Sequence, residues 1–121
     1  MDRRVFERIV AEAIDELPDS IRERLDNVDV VVEAWPDPHT MRLAGVHHPA
    51  QLLGFYHGVP QTKRTHNYSL VLPDKISIYQ KPIEMRYRTP GAIRAAVRRV
   101  VRHEIGHHFG LRDDRLRELG V

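Results

Sequence analysis

The stretch TPGAIRAAVRRVVRHEIGHHFGLRDD, residues 89–114, reads as one long helix with a sharp stop. Thr89 offers a hydroxyl to the first free N–H groups, and Pro90 brings a φ already set for a helix and no N–H to satisfy. From Ala92 to Phe109 the run has no breaker except Gly106, and Gly110 supplies the left-handed stop. At 3.6 residues per turn, Arg94, Arg98 and Arg102 form one stripe, and Ala96, Val100, His103 and His107 form another roughly 140–180° away. The arginines should face water and the histidine stripe should face inward.

The inward stripe ends in His103-Glu104-Ile105-Gly106-His107, an H-E-x-x-H pattern. Residues i and i+4 lie on one helix face a turn apart, so two imidazoles can converge on one metal ion. Glu104 directly follows the first ligand and can approach a metal-bound water without occupying a coordination position. Gly110 stands seven positions after His103 and Asp113 stands ten after. A glycine that tolerates positive φ can turn the chain so that Asp113 returns as third ligand, and a carboxylate is an accepted zinc ligand. Asp114 takes that role if the turn is one residue looser. His108 points about 100° away from His107 and is read as packing or hydrogen-bonding nearby. The bland alternative makes His103 and His107 satisfied core histidines and Asp113 a surface acid.

Working outward, Val5, Phe6, Ile9, Val10, Ala13, Ile14 and Leu17 recur at helical spacing. Pro18 ends that helix, and Asp19 or Ser20 can cap a short second one running to Leu25. Val28 to Trp35, with three consecutive valines, reads as a strand stopped by Pro36-Asp37-Pro38. His39 to Pro49 has no periodicity and reads as loop. Leu52 to His57 is a short second strand, residues 61–67 a turn or exposed loop, and Ser69–Leu72 and Lys75–Gln80 further strands. In the last of these, Ile76 and Ile78 alternate with Ser77 and Tyr79, as in a strand with an open face or near an edge. His39, His47, His48, His57 and His66 read as polar surface. Tyr79 and Tyr87 could donate to a developing oxyanion, but the spacing gives neither a special place.

The chain has 121 residues, which fits a single domain over 1–121. Hydrophobic residues at 41% and charged residues at 30% are ordinary for a soluble globular protein and argue against a disordered or membrane-spanning one. There is no cysteine, which excludes disulfides, Cys-ligated zinc, iron–sulfur clusters and thiol nucleophiles. With the acid-interrupted N-terminus, that points to the cytoplasm. Residues 1–33 hold ten acids and five bases, and residues 34–121 hold fourteen bases and seven acids. A basic portion could face nucleic acid. These bases are not interleaved with aromatics and no nucleic-acid module is visible, so a solvated helix face is the simpler reading.

Four runs stand in order: Leu52-Leu53-Gly54-Phe55-Tyr56-His57-Gly58-Val59-Pro60, then Leu72-Pro73-Asp74-Lys75-Ile76, then Ile83-Glu84, and finally His103 through Gly110 leading into Asp113-Asp114-Arg115-Leu116. In these the chain resembles the small bacterial zincin-like metallopeptidases, sometimes called minimal metalloproteases, over most of its length. The resemblance implies an α+β, reduced zincin-like fold with an N-terminal helix, a small mixed β-sheet and the active-site helix last. It also makes Lys75–Gln80 the strand that rims the cleft, where a peptide could add as an extra strand. Gly106 departs from the family pattern, standing where relatives often carry Ala. Asp113 differs from the long-motif zincins, in which the third ligand is usually His.

The residues and the resemblance together lead to a single-zinc metalloendopeptidase acting on a peptide or protein substrate. His103, His107 and Asp113 hold Zn2+, a water takes the open fourth position, and Glu104 is the general base. An anionic ligand in place of a neutral His makes that water less acidic, which implies a more alkaline optimum or low activity. The alternative, from a different class, is a zinc-stabilised module that captures an extended peptide or protein without catalysis.

Overall fold

The computed structural model describes residues 1–25, 27–58 and 74–110. Phe6, Ile9, Val10 and Ala13 are the buried stripe of helix α1 (Arg3–Asp15), and the Asp2 side chain caps its start by accepting from the Arg4 N–H. The short α2 (Asp19–Arg22) follows. The valine-rich run forms β1 (Val28–Glu33), succeeded by α3 (Pro38–Ala44), a single 3-10 turn at Pro49–Gln51 and β2 (Gly54–His57). Beyond them come β3 (Asp74–Tyr79), α4 (Gln80–Arg86) and α5 (Pro90–His108).

The three strands lie in the order β1-β3-β2, with β1 parallel and β2 antiparallel to β3. The sheet is mixed and the class is α+β, with the long C-terminal helix in place. Strand alternation gives it two different faces. On one, Val32, Ile76 and Ile78 join a core with Phe6, Ile9 and Val10 of α1, Ile83 of α4, and Val97, Val100, Val101 and Ile105 of α5. No helix among the described residues is long and apolar enough to cross a membrane.

The opposite face carries Glu33, His57, Lys75, Ser77 and Tyr79. The Ser77 hydroxyl donates to the Glu33 carboxylate and lies 3.2 Å from His57 Nε2. Burial raises the Tyr79 pKa against an opposing pull from the neighbouring Ser77 and Thr40. Ser77, Thr40 and Tyr79 are all buried.

This arrangement corrects the expected place of β3. It is the central strand, paired on both sides, so it does not rim a cleft. Its polar alternation marks a second face, where the Ser77 hydroxyl donates to the Glu33 carboxylate and Lys75 stands 3.6 Å from the same carboxylate. The stretch from His39 expected as loop is also corrected, since its first part belongs to α3. Asp37 accepts from the Thr40 N–H at 2.7 Å, Pro38 takes the first helical position, and Gly45 ends the helix at φ 74°. Pro36-Asp37-Pro38 thus stops a strand and also starts a helix. At α2 the cap position belongs to Pro18, while Asp19 sits in the first turn and pairs with Arg22. The turn at 61–67 and the strand at 69–72 fall outside the described residues.

Candidate metal centre

Both ends of α5 are built as its residues dictate. The Thr89 hydroxyl accepts from the Ala92 N–H at 3.1 Å. At the other end the Phe109 and Gly110 amides bond to Ile105 and His107 carbonyls, and Gly110 takes φ 83°. Arg94, Arg98 and Arg102 are exposed; the first two also tie α5 to α1, through Glu12 at 2.8 Å and Glu16 at 2.9 Å. On the opposite stripe Ala96 and Val100 are buried and the two histidines half-buried.

The helix turn brings His103 and His107 together. Their Nε2 atoms stand 3.2 Å apart, with ring centroids 4.9 Å apart and planes at 77°. Two nitrogens each ~2.0–2.1 Å from one tetrahedral zinc stand about 3.3 Å apart, so the pair has the spacing of two ligands to one ion. Donor atoms of His103, Glu104 and His107 all lie within 4.8 Å of one another. The residues present fit the group.

Glu104 is buried, one step round the helix from His103. It lies against β2, and Gly54 makes that approach possible. A Cβ at Gly54 would fall 2.6 Å from Val100 Cγ1, 3.1 Å from the Ser77 carbonyl oxygen and 3.4 Å from Glu104 Cγ. A glycine inside a strand is a general sign of such close approach, and it is the signal that reading by apolar runs passes over.

The structure separates the other candidates from this pair. Tyr79 lies on the α3 side of the sheet, where burial raises its pKa. The Tyr87 hydroxyl accepts from Arg99 at 2.8 Å. His57 also faces away from α5, its pKa lowered by burial and by Lys75 against an opposing pull from Glu33. The His48 ring caps the Pro49–Gln51 turn. His108, expected to pack or hydrogen-bond nearby, is buried with its Nδ1 2.8 Å from Asp74 Oδ2. No spacing rule links residues 74 and 108, so the partner could not be foreseen. His66, Asp113 and Asp114 lie outside the described residues.

A family model for zincin-like metallopeptidases matches residues 25–121. The chain belongs to that family. Membership in the zincin-like family implies a metal cofactor, typically zinc, which agrees with the His-Glu-His cluster on α5. Among solved structures, this zincin-like chain is similar to a conserved hypothetical protein from Thermo thermophilus. The two are 23% identical, with a TM-score of 0.57 over 90% of this chain and 94% of the other, a likeness of fold. No curated protein matches the zincin-like chain.

Proposed function

We propose that the chain is a zinc-dependent peptidase that hydrolyses peptide bonds with Glu104 as general base. The observation that carries this is the pair of Nε2 atoms 3.2 Å apart with a buried carboxylate on the next residue. His103 and His107 would hold the metal, and Asp113, three residues past the turn at Gly110, would complete the ligand set. Zinc held there supplies a Lewis acid that polarises a carbonyl and makes a water acidic near neutral pH. Glu104 takes the proton of the attacking water and delivers it to the leaving amine. Its stem is buried beside Gly54 of β2, so the carboxylate needs little reorganisation as the reaction proceeds. Of the strands among the described residues, β2 is the one whose glycine abuts Glu104, so an extended substrate passes on the β2 side rather than along β3. The absence of cysteine favours a cytoplasmic setting, and the family resemblance a bacterial one.

The test is hydrolysis of a mixed peptide library by wild-type protein and the Glu104→Gln variant, each assayed for bound zinc. The variant should keep its zinc and lose at least about 100-fold in rate. Undiminished hydrolysis by the variant would sink the role given to Glu104. Zinc bound by wild-type protein with no peptide cut would favour the binding module instead.

A further inference from the structure

On the face of α5 that meets the sheet, one step round from His107, lies a buried polar chain that peptide hydrolysis does not use. His108 Nδ1 is 2.8 Å from Asp74 Oδ2, and the Tyr56 hydroxyl donates to the same oxygen. Asp74 and His108 are each 1% exposed. The Tyr56 ring stands edge-on to the His108 ring at 5.7 Å. Gly58 leaves room for the carboxylate, because a Cβ there would fall 2.5 Å from Asp74 Oδ1. The end of β2, the start of β3 and the end of α5 all converge on this one group.

A buried pair of this kind is a weak source of stability. Taking both groups out of water cancels much of their attraction, and an apolar pair of similar volume often does as well. Geometry is what the pair adds. Val97, Val101 and Ile105 hold α5 on the sheet through apolar contacts, which are not directional. His108 continues that stripe by one turn and replaces it with a directional bond. It does so next to His107, in a turn that Gly106 leaves intrinsically weak.

We propose that Tyr56, Asp74 and His108 form a positioning device that fixes the last turn of α5 and, through it, the ligand His107. This rests on the metal reading of His103 and His107. None of the three touches substrate; they act through the backbone of the helix.

The experiment compares wild-type protein with Asp74→Asn, Tyr56→Phe and a paired Asp74→Leu, His108→Leu variant. It measures zinc affinity by chelator competition and amide hydrogen exchange in the zinc-free proteins. In Asp74→Asn the Phe109 and Gly110 amides should exchange at least about ten-fold faster while Val97 and Val101 stay as in wild type. Zinc affinity should fall about 10- to 100-fold, the size found when groups supporting a metal ligand are removed. The paired variant should melt near wild type and still lose affinity. Tyr56→Phe, which removes one hydroxyl, should show the same pattern more weakly and keeps the test decisive if the Asp74 variants do not fold. Wild-type binding with variants within about two-fold, or faster exchange spread evenly along α5, overturns the positioning role alone. Wild-type protein that takes up no zinc overturns the metal reading and this role with it.

Discussion

A side chain at Gly54 would have nowhere to go. Its Cβ would sit 2.6 Å from Val100 Cγ1, a distance atoms do not tolerate, and 3.1 Å from a backbone oxygen that cannot move without breaking the sheet. Gly54→Ala should therefore destabilise by about 1–3 kcal/mol, the cost of overpacking a fitted core. Thermal melting should show this as a fall of several degrees, and an unchanged melting temperature would mean that α5 can stand further from β2 than it does. The contrast with His103 and His107 shows what can be read in advance at this scale. Their partnership depends on four residues of helix, a distance that a sequence displays directly. The partnership of Gly54 with Glu104, or of Asp74 with His108, depends on how a strand and a helix pack, and no local pattern encodes it.

The same contrast holds among the elements. Helices α1 and α5 carry apolar stripes of several turns and were legible for that reason, as were the valine-rich β1 and the alternating β3. Helix α3 has seven residues and buries only Thr40 among them, so there is no stripe to count, although its cap residues mark both ends. Helix α4 follows directly on β3, its cap residue Tyr79 makes no side-chain cap bond, and it contains Pro82, so nothing in the sequence announces it. The face between α3 and the sheet also sets a pH dependence. Burial, helped by Lys75, holds His57 below its usual pKa of 6.5, with Glu33 pulling the other way. In the unfolded chain the imidazole takes its proton near 6.5, whereas the folded chain takes it only at lower pH. Between those two values the unfolded state binds more protons, so stability falls as pH drops below about 6.5. Denaturant titrations at about pH 7.5 and 5.5, on either side of that value, should show the loss, and His57→Gln should reduce it. An equal loss in the variant would move the cause to another group.

For the molecule as a whole, the family pattern and the α+β class were readable, while the sheet order was not. Strand β3 pairs directly with β1, in parallel, although β2 stands between them in sequence, and only packing decides which strand lies at the centre. The arginine stripe illustrates the same limit. Its spacing showed that it would be exposed, but not that Arg94 and Arg98 would clamp α1 through Glu12 and Glu16. A chain of 121 residues buries only about two-thirds of its unfolded surface, so a ligand bound to the folded state alone adds noticeably to its stability. The decisive measurement is therefore metal content by elemental analysis, on untagged protein purified without added metal and again after zinc is offered, beside His103→Ala. About one zinc per wild-type chain, absent from the variant, is the expected result. No zinc in the wild-type protein even when offered, or equal zinc in both, would contradict a metal centre on α5.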